Sequence, residues 1–183
     1  MMAKEDQRIR LTKRILKETL IEMLATADID RISVTALCRR AEINRSTFYQ
    51  HYGAPKDVLL DIERDFSQQT AKLMQDDEPR SSFEQRLTKV CTYIYENAEM
   101  QKRIFRNTSD AELADVFSDS GFPIWDASIY FQTHHETDEL SRRLASVFIN
   151  FGSFHVIREW ILKDIAKSPA EVAAIICNIA YDR

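Results

Sequence analysis

The 183-residue sequence is poor in the residues that interrupt helices, and it is also poor in cysteine. It has three glycines, four prolines and three cysteines, and no apolar run approaches the ~20 residues that span a bilayer. With few helix breakers, and with apolar residues at helical spacing, the sequence predicts an all-α protein. The scattered cysteines Cys38, Cys91 and Cys177 exclude a disulfide framework and a zinc site, and we expect them to be reduced and buried.

A secretory apolar segment is absent from the charged N-terminus, which predicts a cytoplasmic protein without a membrane partner. The charges are unevenly distributed along the chain. Residues 1–56 hold 11 Lys and Arg against 7 Asp and Glu, whereas residues 57–183 hold 14 against 22. A basic N-terminal part joined to an acidic remainder is typical of a chain whose N-terminal part contacts a polyanion; the alternative is chance variation of the surface charge.

Caps and apolar periodicity divide the chain into helices. The first is predicted from Gln7 to Ala25, the second after the cap residue Ser33, the third after Asn44, and the fourth from Pro55 to Met74. Further helices are predicted over 82–97, 100–106 and 108–118. After a break at 118–123, a shorter helix is predicted to end at about 134, and two more are predicted over 138–164 and from 168 onward.

The second and third helices, joined by a short turn at Glu42 and Ile43, have the pattern of a helix-turn-helix unit that reads the major groove. Phe48 and Tyr52 are four residues apart and are predicted to face inward. The outer face then carries hydrogen-bonding side chains that suit bases and phosphates, at Arg45, Ser46, Thr47, Tyr49, Gln50 and His51.

Residues 33–62 resemble the N-terminal domain of the TetR family of transcriptional regulators, most distinctively in the run Phe48-Tyr49-x-His51-Tyr52. The resemblance extends over about residues 8–62. It implies a DNA-binding domain over 1–54 and a regulatory and dimerisation domain over 55–183. The DNA contacts expected from the motif and the resemblance together are Thr35, Asn44, Arg45, Ser46, Thr47, Tyr49, Gln50, His51 and Lys56.

Two positions depart from the family pattern. The turn has Glu42 where the family usually has glycine, so the turn is either built differently or places Glu42 in a strained conformation. The lysine expected at the start of the fourth helix falls on Pro55, and Lys56 follows one residue later. The phosphate contact must therefore come from Lys56 or from the helix N-terminus.

The C-terminal segment 148–176 is similar to the last two helices of the family, which usually pair with their copies in a homodimer. A broad apolar stripe agrees with this, and Gly152 is expected to permit close backbone approach. The alternative is a helix buried within its own subunit. The interface residues predicted are Leu144, Phe148, Phe151, Phe154, His155, Ile175 and Ile179.

Aromatic residues in the middle of the chain form a candidate pocket for a small-molecule effector, which the sequence does not identify. The alternative is an ordinary core. The predicted pocket residues are Tyr93, Phe105, Phe117, Phe122, Trp125 and Tyr130. The run His134-His135-Glu136 is interpreted as a solvated helix end, and neither a metal nor a cofactor is predicted.

The sequence thus predicts a dimeric, sequence-specific transcriptional regulator, a ligand-responsive repressor that binds a palindromic double-stranded DNA operator. The alternative is a protein-interaction co-activator that keeps the fold without strong binding of DNA or ligand. No nucleophile–base pair or glycine-rich phosphate loop supports an enzyme.

Overall fold

The computed structural model describes residues 2–74, 82–112 and 138–181, and within these ranges the regular structure is entirely helical. This confirms the predicted all-α class. The elements are α1 (Met2–Met23), a 3-10 turn (Ile29–Arg31), α2 (Val34–Arg40), α3 (Arg45–Tyr49), α4 (Pro55–Met74), α5 (Phe83–Glu96), α6 (Ala98–Asn107), α7 (Glu139–Leu162) and α8 (Pro169–Tyr181). The helix predicted over 108–118 is described up to Glu112, and the one predicted to end at 134 lies outside the described residues.

Side-chain caps fix several of the helix starts where the sequence predicts them. The Ser82 hydroxyl accepts a hydrogen bond from the Gln85 N–H, and the Gln85 side chain accepts one from the Ser82 N–H. Ser168 and Glu171 make the same reciprocal pair at the start of α8, at 3.3 and 2.8 Å. Because these bonds satisfy N–H groups that have no partner within the helix, they fix the residue at which each helix begins.

The chain divides by its contacts into two units, which do not follow the chain order. Among the described residues, unit one comprises 2–66 and 103–112, and unit two comprises 67–74, 82–102 and 138–181. The predicted division at residue 54 therefore differs from these units, because the first part of α4 and the end of α6 belong with the N-terminal helices.

The core of unit one is formed by apolar side chains from five helices, α1 to α4 and α6. Their spacing of three and four residues places them on one face of each helix. The buried members include Leu16, Leu20, Leu24, Leu37, Phe48, Val58, Leu59, Ile62, Ile104 and Phe105.

The core of unit two centres on α8, which packs mainly against α5 and less against α7. All three cysteines of the chain are free and buried, as predicted, and two of them lie in this core. Burial raises the pKa of the Cys91 thiol to about 12, with Cys177 contributing, and burial also raises the pKa of Cys177 to about 12. Both thiols are therefore protonated near neutral pH and act as small apolar side chains.

Candidate nucleic-acid interface

The α2–turn–α3 segment is a compact pair of short helices in unit one. α2 has seven residues and α3 has five. Ser33 caps α2 by accepting a hydrogen bond from the Ala36 N–H at 3.1 Å. Such short helices are not stable alone in water, so their geometry depends on the contacts beneath and around them.

The turn between the two helices has a regular hydrogen-bonding pattern, with Glu42 at its left-handed position. Glu42 has a φ of 55°, in the left-handed region. The Ile43 N–H donates to the Cys38 carbonyl at 3.0 Å, and the Glu42 N–H donates to the Arg39 carbonyl at 3.4 Å. This is the Schellman arrangement, which usually has glycine at the left-handed position. The turn is therefore built in a common way, and Glu42 bears the strain.

Two aromatic residues anchor α3 and the residues that follow it. Phe48 is fully buried and Tyr52 is 7% exposed, which confirms that both face inward. Their ring centroids lie 5.9 Å apart. After Tyr49, the N–H groups of His51 and Tyr52 both donate to the Phe48 carbonyl, so the chain turns tightly around Phe48.

The opposite face of α3 is polar and accessible. Tyr49 is 52% exposed, and the Arg45 guanidinium lies 5.9 Å from the centre of its ring and 3.5 Å from its hydroxyl. This places a cation and an aromatic hydroxyl side by side on the surface, where both can contact nucleic acid. Among the other predicted contacts, the exposed residues are Thr35, Asn44, Ser46 and Gln50, and the half-buried ones are Thr47, His51 and Lys56.

A charged network that the sequence reading missed lies beneath α3. The Tyr52 hydroxyl donates to the Asp61 carboxylate at 2.6 Å, and the Lys17 ammonium lies 3.0 Å from the same oxygen. Lys17 also contacts Asp65 at 2.6 Å, while Lys13 lies 3.5 Å from Asp61. The network joins α1 and α4 to Tyr52, which lies three residues beyond the end of α3. Its signal in the sequence is the matching four-residue spacing of the two lysines and the two aspartates.

This network changes the ionisation of its members. Burial opposes ionisation of Asp61, but the hydrogen bonds from Tyr52 and Lys17 and the lysine charges outweigh it, so the pKa of Asp61 is lowered. Burial and the bond to Asp61 raise the pKa of Tyr52. The Lys17 side chain is 15% exposed and is paired within the protein.

Lys56, a predicted phosphate contact, is bonded within unit one. Its ammonium donates to the Asn107 carbonyl at 2.6 Å and lies 3.0 Å from the Glu112 carboxylate. Burial of Glu112 raises its pKa, but hydrogen bonds from Ser109 and Lys56 exceed this effect, so the pKa is lowered and the carboxylate is ionised near neutral pH. A phosphate contact from Lys56 therefore requires Lys56 to exchange these partners.

The predicted effector pocket is described in part. Tyr93 is half-buried on α5 and Phe105 is buried on α6, whereas Phe117, Phe122, Trp125 and Tyr130 lie outside the described residues. An open cleft of about 390 Å³ in unit two is lined by other residues, among them Tyr95 stacked on Trp160 and the ion pair of Lys102 with Asp164. Neither Tyr93 nor Phe105 lines this cleft.

The predicted dimer residues lie on α7 and α8. Among the described residues, a Cβ placed on Gly152 would meet no atom within 4 Å outside its own helix, so the expected close backbone approach is not seen within this part of the chain. Phe148 is 72% exposed and Ile179 is 65% exposed. Leu144, Phe151, His155 and Ile175 are also exposed, and Phe154 is half-buried.

The described residues contain neither a metal-binding cluster nor a membrane-spanning helix. No group of three His, Cys, Asp or Glu residues within the described ranges could hold a metal ion; the run 134–136 lies outside those ranges. Of the helices described, none is long and apolar enough to cross a membrane.

Comparisons with known proteins are consistent with this geometry. A family model described as "Transcriptional regulator C-terminal region" matches residues 81–182, which is more than half of the chain. A search of curated proteins finds no significant match.

Solved structures of regulators share the fold. A TetR transcriptional regulator from Streptococcus agalactiae 2603V has a TM-score of 0.70 at 15% identity, with 98% of this chain and 99% of that chain covered. The Dihydroxyacetone kinase operon activator DhaS has a TM-score of 0.62 at 20% identity, covering 93% and 94%. FadR of Thermus thermophilus, a repressor in complex with lauroyl-CoA, has a TM-score of 0.63 at 14% identity, with 92% of each chain covered. At these identities the similarity concerns the fold alone.

Proposed function

The chain belongs to the TetR family of transcriptional regulators, and we propose that it is a sequence-specific DNA-binding repressor that acts as a homodimer and responds to a small molecule. The family consists of regulators and not of enzymes. A DNA-binding role implies a cytoplasmic location.

The observation that carries the proposal is the two-sided character of α3. Phe48 and Tyr52 anchor the segment from inside, while Arg45 and Tyr49 lie together on the exposed side. A guanidinium can donate two hydrogen bonds to guanine, and a tyrosine hydroxyl can donate to a phosphate. Thr35 and Asn44 are exposed at the starts of α2 and α3, where free N–H groups favour an anion. We assign Ser46, Thr47, Gln50 and His51 to the same interface.

The homodimer is supported by the apolar surface of α7 and α8. Phe148 and Ile179 expose most of their side-chain area, and such side chains are commonly covered by a partner. Since α3 has five residues, one copy makes few contacts with DNA, whereas a two-fold dimer reads two half-sites of a palindrome.

The effector is proposed to bind in unit two. One protein of the same fold is in complex with lauroyl-CoA, and this chain has the aromatic side chain of Tyr93 on α5. We keep Tyr93 of unit two as the pocket residue to test, whereas Phe105 is buried in the core of unit one.

A second candidate function is that of a co-activator that works through a protein partner without strong DNA binding. It is supported by the internal bonding of Lys56 to Asn107 and Glu112, which removes one cation from the surface available to phosphate. One similar structure is described as an operon activator. The DNA-binding experiment separates the two candidates.

The experiment is fluorescence anisotropy at about physiological salt, with a labelled duplex from the region upstream of the protein's own gene. A random duplex of equal length is the reference, since phosphate attraction alone is strong and depends on salt. We expect clear preference for the upstream DNA. Equal binding of both duplexes, or the absence of binding together with a co-purifying partner, would favour the co-activator.

A Tyr49→Ala variant tests the role of α3. We expect affinity for the upstream duplex to fall roughly tenfold, or about 1.4 kcal/mol, with no fall in the thermal midpoint. Tyr95→Ala is the matched control, because Tyr95 is 55% exposed in unit two and Tyr49 is 52% exposed in unit one. Equal loss of affinity in the two variants, or a parallel loss of stability in Tyr49→Ala, contradicts a direct contact.

A further inference from the structure

The end of α6 and the residues after it hold unit one together at several points. We call this segment, Arg103–Glu112, the α6 tail. Its Arg103 guanidinium donates to the Ile21 carbonyl at 3.3 Å, near the end of α1. Its Thr108 hydroxyl donates to the Glu63 carboxylate of α4 at 2.6 Å, and both residues are buried. The tail is thus bonded to the helices that precede and follow the α2–α3 segment.

Asn107 makes two of the contacts of the α6 tail, one on each side of the α2–α3 segment. Its side-chain oxygen accepts a hydrogen bond from the Ile29 N–H at 2.8 Å, on the 3-10 turn that precedes α2. Its backbone carbonyl accepts one from the Lys56 ammonium at 2.6 Å, in the first turn of α4. The α2–turn–α3 segment lies between residues 29 and 56. A single residue therefore bonds both ends of this segment.

The Asn107 side chain is itself held in place. Its amide nitrogen donates to the Arg103 carbonyl at 2.7 Å, which orients the oxygen toward Ile29. Ile29 is buried, so its N–H has poor access to water if the asparagine oxygen is removed. Because α2 and α3 are too short to keep their geometry alone, the positions of their ends control where α3 presents its outer face.

From this geometry we infer that Asn107 is a positioning residue for DNA binding, which fixes the α2–α3 segment from both ends without contacting DNA itself. The inference rests on the proposed DNA-binding function. It adds to the DNA-reading unit a residue that lies 78 positions from Ile29 in the sequence.

The chain provides a matched control at Asn97. Asn97 ends α5 in unit two, and its amide nitrogen donates to the Tyr93 carbonyl four residues earlier at 2.8 Å. Asn107 makes the same bond to Arg103 at 2.7 Å and is also half-buried. Asn97→Ala therefore removes the common bond, whereas Asn107→Ala removes that bond and the one to Ile29. Asn107→Asp retains an acceptor for the Ile29 N–H and loses the amide donor.

The three variants are made in the full chain and compared with wild type by their affinity for the upstream duplex and by hydrogen–deuterium exchange of backbone amides. We expect Asn107→Ala to weaken binding at least tenfold and to speed amide exchange over residues 29–49. We expect Asn107→Asp and Asn97→Ala to stay within threefold of wild-type affinity, with wild-type exchange in that segment. If Asn107→Ala weakened binding only by lowering the stability of the protein, aspartate at the same position would not restore the affinity.

Two results would overturn the inference. One is an unchanged affinity and exchange pattern in Asn107→Ala. The other is an equal loss in Asn97→Ala or in Asn107→Asp. If the wild-type protein does not prefer the upstream duplex, the proposed DNA-binding function fails, and exchange over residues 29–49 alone then decides whether Asn107 positions this segment.

Discussion

Replacing Glu42 with glycine is expected to stabilise the protein, because Glu42 occupies the left-handed position of the Schellman turn between α2 and α3. A residue with a Cβ atom is disfavoured there by about 1–2 kcal/mol. Glycine removes this strain but makes the unfolded chain more flexible, which costs about 0.4–1 kcal/mol. The free energy of unfolding should therefore rise by roughly 0.5–1 kcal/mol through the backbone alone.

A second effect must be separated from the backbone. The Glu42 carboxylate lies just after the C-terminus of α2, where the helix dipole disfavours a negative charge by about 0.3–1 kcal/mol. Glu42→Ala removes this charge and retains the Cβ atom, so it is the matched control. The difference between the glycine and alanine variants measures the backbone strain.

Urea unfolding followed by circular dichroism at neutral pH provides the measurement. All variants must be compared at one protein concentration, since a dimer becomes more stable as concentration rises. The midpoint should rise from wild type to alanine and again to glycine. A glycine variant no more stable than the alanine variant would refute the claim that the turn is strained.

Three further predictions concern the network beneath α3 and the surface of α7. Tyr52→Phe should lower the free energy of unfolding by about 1–2 kcal/mol, because it deletes a hydrogen bond to the Asp61 carboxylate, while Asp61 retains its ion pair with Lys17. An unchanged urea midpoint contradicts this. The pKa of Asp61 is lower in the folded protein than in the unfolded chain, where it is ~4. Its ionisation therefore stabilises the fold at pH values above the unfolded pKa, and this contribution is lost as the pH falls through the folded pKa. Asp61→Asn should thus lose less stability than wild type between pH ~6 and ~3 in thermal melts. Phe148→Glu should yield monomers in analytical ultracentrifugation, whereas Ile165→Glu, exposed beyond the end of α7, should not; dimers in both variants contradict the proposed interface.

Local signals in the sequence predicted helix boundaries well. The start of α4 at Pro55 and its end at Met74 were both predicted, since proline suits the first turn of a helix. Cap residues such as Ser82 predicted α5 for the same reason, as the capping bonds join residues three apart. α1 begins at Met2, earlier than the predicted Gln7.

Contacts between distant segments could not be predicted in this way. The bond between Ile29 and Asn107 joins two residues with no shared periodicity, and an asparagine near a helix end is commonly just a C-cap. The outer face of α3 was predicted because buried residues recur every three or four positions along a helix, which leaves the remaining positions exposed. The internal partners of Lys56 were missed because Glu112 comes close to it only after the chain has folded.

The bonds of the α6 tail also bear on how the protein is made. The ribosome releases the chain from the N-terminus, and α1 to α4 emerge long before residues 103–112. Until the tail has emerged, the bonds that it makes to Ile21, Ile29, Lys56 and Glu63 cannot form. The closing contacts span 45 to 82 residues, and contacts of such separation form late and slowly. The nascent protein therefore passes through a period in which α3 has been synthesised but is not yet held in its native position.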